Sequence, residues 1–350
     1  MFVQWRAFRS IDITLGGALG ILALSFVTGC WLSAPSTARA QAQVPSTGSV
    51  VGLEDNYVDV NGVRTRYYEA GEGEPMVLVH GSGWTGSAMA DTWVPVIPGL
   101  AERFHVFAAD KLGSGMTGNP LDDKDYNMQG IVEHMYQFIR TLGLGPVHLI
   151  GQSNGGGVSF FLSVLHPEVV KTLVIVDSNT AAPAYGPTNR LRALWDCPRE
   201  PHCAEWSCRL RAISYAPDAF DDDFFEFGCY MSDLPKSQET RAKLAAGAGE
   251  PLRSQFGEWK KEVHARVREE GLLQMPVLLY WGNNDPSAML KGGLALYDII
   301  AEKNPNARMI IVNQAGHFHY REHPEEFTQN VINFIDFWNN NPQLPQSASR

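Results

Sequence analysis

Val147-His148-Leu149-Ile150-Gly151-Gln152-Ser153-Asn154-Gly155-Gly156-Gly157 joins an uninterrupted apolar run to a pentapeptide of the form Gly-x-Ser-x-Gly and then to a cluster of glycines. The apolar run reads as a strand buried on both faces, and residues 155–165 continue as a helix. A serine on so sharp a strand-to-helix turn needs neighbours without side chains, which Gly151 and Gly155 supply. The turn lifts its hydroxyl above the sheet and sets it at a helix N-terminus, where unpaired N–H groups favour developing negative charge.

Similar apolar runs lie on either side: Met76–Val79, Phe104–Ala108, Leu173–Val176, Val277–Tyr280 and Met309–Val312. Each reads as a strand covered on both faces, the mark of a parallel sheet. Helical segments are predicted over 128–142, 155–165, 290–303 and 324–339, so strand and helix alternate in right-handed crossovers. Ahead of them, Tyr57–Val60 and Val63–Tyr68 flank Asn61-Gly62, a hairpin turn suited to positive φ. The fold class is α/β, a mostly parallel sheet with helices on both faces. One gap is too long for a single crossover: from about 180 to 273 the chain carries aromatics (Trp195, Trp206, Phe224, Phe225, Phe227, Tyr230) and an acidic run, Asp221-Asp222-Asp223, and is expected to form a helical lid.

A serine hydroxyl is protonated at neutral pH, so it needs a base, and the base an orienting carboxylate. His317, in Ala315-Gly316-His317-Phe318, and Asp285, in Gly282-Asn283-Asn284-Asp285-Pro286, follow the last two strands. With Ser153 they keep the order Ser, acid, His. Asp177 is the substitute acid; His319 and His323 compete with His317. The loop His80-Gly81-Ser82-Gly83-Trp84 follows another strand end, and its glycines let the backbone turn an N–H toward substrate. The oxyanion donors are expected to be the N–H groups of Ser82, with Gly83 as alternative, and Asn154; His80 is expected to brace the loop. Trp84 and Phe318 adjoin these motifs and are expected to line an apolar substrate pocket. No metal or organic cofactor is implied.

The chain has 350 residues, 28 basic and 38 acidic, a net charge of −10. No Lys/Arg block exists to neutralise phosphate, which argues against nucleic acid as a partner; the expected partner is a small-molecule substrate, and no protein partner is implied. Residues 1–40 read as an export signal: Arg6 and Arg9, an apolar stretch, then Ala38-Arg39-Ala40 as the cleavage pattern. Alternatives are a lipidated Cys30, in Val27-Thr28-Gly29-Cys30, and an uncleaved anchor. Cleavage after Ala40 would deepen the charge to −12, leave 41–56 as a flexible leader and 57–350 as the catalytic domain, and place the product in the periplasm or outside the cell. The four remaining cysteines, Cys197, Cys203, Cys208 and Cys229, then suggest two disulfides with three possible pairings; zinc binding and free thiols are the alternatives.

Together these motifs resemble the α/β-hydrolase superfamily from about residue 57 to 340. The segment from Val60 through His80-Gly81-Ser82-Gly83 to Asp110-x-x-Gly113-x-Gly115, with the late Gly316-His317, is most similar to carbon–carbon hydrolases of ring meta-cleavage products. Those usually hold Asn before the nucleophile and Trp after the histidine, where this chain has Gln152 and Phe318. They are also generally cytosolic. On these departures, the sequence reading favours an exported serine hydrolase of a carboxylic ester or lactone. Carbon–carbon hydrolysis of a vinylogous diketone and a ligand-binding role on a hydrolase scaffold stand as alternatives. Haloalkane dehalogenases and epoxide hydrolases share the fold but use an aspartate nucleophile, unlike Ser153.

Overall fold

The computed structural model describes residues 53–184, 196–198, 202–216 and 218–341. The expected export signal with its cleavage point after Ala40, the alternative site at Cys30, most of the leader, and Trp195 lie outside the described residues.

Eight strands form one sheet: β1 (Asn56–Val60), β2 (Val63–Ala70), β3 (Glu74–Val79), β4 (Phe104–Ala109), β5 (Val147–Gln152), β6 (Val170–Val176), β7 (Val277–Gly282) and β8 (Ala307–Val312). Their spatial order is β1-β2-β4-β3-β5-β6-β7-β8, antiparallel where β2 meets β1 and β4 and parallel from β4 onward. The first hairpin turns on Asn61 and Gly62, both at positive φ (51° and 89°), as the Asn-Gly pair requires.

The helices are α1 (Ile97–Ala101), α2 (Met128–Thr141), α3 (Asn154–Leu165), α4 (His202–Ile213), α5 (Asp222–Asp233), α6 (Pro235–Ala245), α7 (Leu252–Glu270), α8 (Leu290–Ala301), α9 (His319–Glu322) and α10 (Pro324–Asn340). Because side chains alternate along a strand, the apolar runs feed two separate cores. Val77, Val79, Leu149 and Leu279 face the side covered by α2, α3, α7 and α8, and Met76, Leu78, Ile150 and Leu278 face the side covered by α1 and α10. Each such fully buried side chain contributes roughly 1.5–3 kcal/mol.

Two sequence expectations change. Met309–Val312 does not bury both faces: β8 ends the sheet with β7 as its only neighbour, and Ile311 is 47% exposed. The stretch from 180 to 273 read as one lid divides in two. Val263 and Val267 of α7 pack into the first core, so α7 is the crossover helix between β6 and β7. Helices α4 and α5 instead bring Trp206, Phe224 and Phe227 to the second core. Disulfides Cys197–Cys208 and Cys203–Cys229, with Cα atoms 5.7 and 5.2 Å apart, tie the segment before α4 to α4 and α4 to α5. All four sulfurs are thereby taken, leaving no thiolate for zinc.

Candidate active site

β5 delivers Ser153 to the carboxyl edge of the sheet with φ +53°, a left-handed conformation that a side chain adopts at a cost of about 1–3 kcal/mol. The turn is held from both ends. Ser153 N–H donates to the Val176 carbonyl at 2.8 Å, and the Ser153 carbonyl accepts from Ser178 Oγ at 2.5 Å and from Gly157 N–H at 3.1 Å. A Cβ on Gly155 would stand 2.1 Å from the Val79 carbonyl oxygen, so α3 can approach the sheet this closely only with glycine there.

Asp285 and His317 follow β7 and β8. Asp285 Oδ2 lies 2.6 Å from His317 Nδ1, and its Oδ1 accepts from the N–H groups of Ser287 and Ala288 at 2.6 and 2.9 Å. Both side chains are buried. Nδ1–H therefore donates to the carboxylate and the Nε2 lone pair is left to receive a proton. Burial alone would lower the pKa of His317, but the adjacent Asp285 carboxylate outweighs it and holds the imidazole above its ordinary value. The histidine loop is fixed through its backbone as well: the His317 carbonyl accepts from Gln152 Nε2 at 2.9 Å, and its N–H donates to the Ile213 carbonyl at 3.0 Å.

Asp177, the substitute acid, stands elsewhere. Its Oδ1 accepts from Gly282 N–H at 2.8 Å, and its Oδ2 lies 2.5 Å from Nδ1 of His319. Burial raises the Asp177 pKa well above its ordinary value and lowers that of His319 to about 3. His323 is bonded through Nε2 to the Gln314 carbonyl. Of the three histidines, His317 is the one that meets Asp285.

The loop after β3 supplies the other wall. Ser82 sits at φ +58°, and no hydrogen bond among the described residues engages the N–H of Ser82 or of Asn154. His80 Nε2 accepts from Lys111 N–H at 3.0 Å, so the ring proton is on Nδ1, which donates to the Gly81 carbonyl at 2.8 Å. This is the bracing place expected of it, and burial lowers its pKa well below the ordinary value. Sequence reasoning missed Lys111, whose ammonium lies behind this loop with its pKa depressed by burial.

Ser82, Ser153 and His317 line one cavity of about 240 Å³. Met89, Trp206, Leu210, Ile213, Phe224 and Phe318 make its apolar walls, and Arg209 of α4 also lines it. Arg209 pairs with Glu205 at 3.2 Å, and its side chain is 48% exposed. Phe318 stands edge-on to Phe220, with ring centroids 4.8 Å apart. Trp84, expected to line the pocket, is not among its lining residues. Its indole turns from the loop onto Tyr126, 5.1 Å between rings, and over Gly113, where a Cβ would come within 2.9 Å of it. Of the aromatics expected in the insertion, Trp206 and Phe224 reach the cavity; Phe225 and Phe227 are spent in the core and Tyr230 packs against it.

A family model for the α/β-hydrolase fold matches residues 74–196. A 2-hydroxymuconate semialdehyde hydrolase from Pseudomonas sp. is 30% identical over 83% of this chain and 96% of its own length. A 2-hydroxy-6-oxo-6-(2'-aminophenyl)hexa-2,4-dienoic acid hydrolase from Metapseudomonas resinovorans is 28% identical over 84% of this chain and 95% of its own length. Among solved structures, a meta-cleavage product hydrolase from Pseudomonas fluorescens superposes with a TM-score of 0.66 at 24% identity, covering 81% of this chain and 97% of that one. These relatives overturn the ester or lactone reading of the sequence. The departures at Gln152 and Phe318 do not separate this chain from proteins named for meta-cleavage products, because similarity to those proteins runs through nearly their whole length.

Proposed function

The chain belongs to the α/β-hydrolase family, and from that premise we propose that it hydrolyses a carbon–carbon bond in a small vinylogous diketone carrying a carboxylate. The observation that carries the reading is the near full-length similarity to hydrolases named for a muconate semialdehyde and a hydroxy-oxo-hexadienoic acid. The cavity is consistent with such a substrate: apolar walls for the carbon skeleton and Arg209 as counter-charge for the carboxylate. Because an exposed pair such as Arg209 with Glu205 holds with only about 0–1 kcal/mol, Arg209 is free to exchange partners.

In this reading a 2-hydroxy-dienoate first moves its enol proton to the carbon beside the remote carbonyl, giving the diketone tautomer; Ser153 Oγ then adds to the carbonyl carbon remote from the carboxylate while its proton passes to His317 Nε2, with Asp285 stabilising the imidazolium. The new oxyanion is received by the N–H groups of Ser82 and Asn154. Collapse of the adduct breaks the carbon–carbon bond. Its electron pair is delocalised through the conjugated carbonyl as a dienolate, which takes the proton back from His317. Water, losing a proton to His317, then attacks the acyl-Ser153 ester and releases a carboxylic acid and the free enzyme.

The test is spectroscopic. Purified protein should bleach the long-wavelength absorbance of a 2-hydroxy-6-oxo-hexa-2,4-dienoate, Ser153→Ala should abolish the bleaching, and Arg209→Ala should raise KM about tenfold or more. Failure to turn over any dienoate of this class, beside an intact esterase activity, would sink the proposal.

A further inference from the structure

Lys111 follows the end of β4, beneath the loop after β3. Its side chain is fully buried, alone among the lysines of the described residues. A buried ammonium is costly unless every proton finds an acceptor. Here Nζ donates to the Ser82 carbonyl at 2.5 Å, to Asn154 Oδ1 at 2.6 Å and to the Gly81 carbonyl at 3.2 Å. Burial lowers the pKa of Lys111 well below the ordinary value, but an ammonium has three protons and no lone pair, so three oxygen acceptors match the charged form; a neutral amine would set its lone pair against one of them.

The identity of those acceptors matters. The Gly81 carbonyl belongs to the same peptide unit as the N–H of Ser82, and the Ser82 carbonyl to the same unit as the N–H of Gly83. In a trans peptide the C=O and N–H point in opposite directions. Gathering both carbonyls on Nζ therefore turns both N–H groups away from the lysine. Gly81 and Ser82 line the cavity with Ser153. The third acceptor is the side chain of Asn154, whose own N–H opens α3. One buried cation thus joins the two loops from which the oxyanion donors come.

The geometry points to Lys111 as the positioning residue of the oxyanion hole, a cationic strut that orients and polarises the Ser82 N–H and anchors the Asn154 side chain at the start of α3, without touching substrate. This rests on the reading of Ser153 as nucleophile with those N–H groups as its oxyanion donors. A hydrogen bond accepted by an amide carbonyl strengthens the donor at the other end of the same unit. A positive charge fixed behind the hole, in a region of low dielectric, favours an oxyanion over a neutral carbonyl. Its effect accordingly falls on the transition state and spares ground-state binding.

Lys111→Met keeps an unbranched side chain, one atom shorter, and removes its charge and donors. The probe is a trifluoromethyl ketone: Ser153 Oγ bonds to its carbonyl carbon, the hydroxyl proton moves to His317, and the carbonyl π pair becomes the oxyanion, seen by fluorine NMR. Lys111→Met should lose roughly 10- to 100-fold in kcat and a matching factor in ketone affinity, with KM within about threefold. Unchanged kcat and ketone affinity would overturn the assignment. Asn154→Ala, at a partly exposed position, keeps the test alive if Lys111→Met does not fold: it should weaken the ketone about fivefold, and full affinity would overturn the strut. The ketone reports on the hole whatever the natural substrate, so a wild-type protein that binds it yet leaves dienoates untouched counts against the carbon–carbon reading alone.

Discussion

Gln152 donates its side-chain N–H to the main-chain carbonyl of His317 across 2.9 Å, with both side chains buried. The residue before the nucleophile thereby holds the loop of the histidine, 165 positions later. Gln152→Leu preserves bulk but leaves a buried carbonyl unpaired, at a cost of about 1–3 kcal/mol. The expected result is a lower melting temperature and a kcat reduced about tenfold. Gln152→Asn, one methylene too short for the same reach, should recover little of either. Wild-type kcat in the Leu variant would show that the histidine loop holds itself.

The two buried carboxylates near the histidine loop should separate cleanly by mutation. Asp285→Asn should lower kcat about 10³- to 10⁴-fold, the range for a triad acid, whereas Asp177→Asn, facing His319, should cost less than about tenfold.

His317 must be neutral to take the serine proton, and contact with Asp285 holds its pKa above the ordinary value against the opposing effect of burial. kcat/KM should therefore climb with pH through a midpoint above about 6.5, the ordinary histidine value. In residual activity of Asp285→Asn that midpoint should fall, because the largest effect opposing burial is then lost. A pH–rate profile of both proteins checks the sign.

Arg66 of β2 is fully buried, and its guanidinium meets Asp55 at 2.7 Å, Asp91 at 2.8 Å and Asp110 at 3.2 Å. Asp110 also accepts from the N–H groups of Ala90 and Met116 at 2.7 and 2.8 Å, tying the segment after β3 to the loop after β4. Arg66→Met strips the counter-charge from buried carboxylates, and chemical denaturation should register a loss of about 3–5 kcal/mol, while kcat per folded molecule stays near wild type.

The disulfide between Cys203 and Cys229 fastens α4, which carries Trp206, Arg209, Leu210 and Ile213 to the cavity. Replacing both cysteines by alanine should raise KM several-fold and lower kcat with it, since α4 forms the wall and its end holds the backbone of His317. Steady-state kinetics at fixed pH distinguish this from a uniform loss of folded protein.

The strands were legible because apolar runs of Val, Ile and Leu leave few other structures, and Ser153, Asp285 and His317 because each follows one of those runs. What escaped was the fate of charge. Arg66 alternates along a hairpin strand and Lys111 sits in a glycine-rich turn, both places where a cation reads as solvated; only the partners brought by Asp55, the segment after β3, Asp110 and α3 explain their burial. One signal was available for Lys111, its place directly between a buried strand end and the Gly113 turn. Trp84 misled because adjacency in sequence says nothing of which way a side chain leaves a loop at positive φ. The electrophile was not legible, since the same three residues serve an ester or an activated carbon–carbon bond.

Glu322 of α9 accepts from Gly316 N–H and from Tyr215 N–H, each at 2.7 Å, just where His317 N–H meets the Ile213 carbonyl. The end of α4 and the histidine loop are thus one mechanical part. A substitution that displaces the end of α4 therefore displaces the proton acceptor with it, so the wall of the cavity and the alignment of the histidine are kept or lost together.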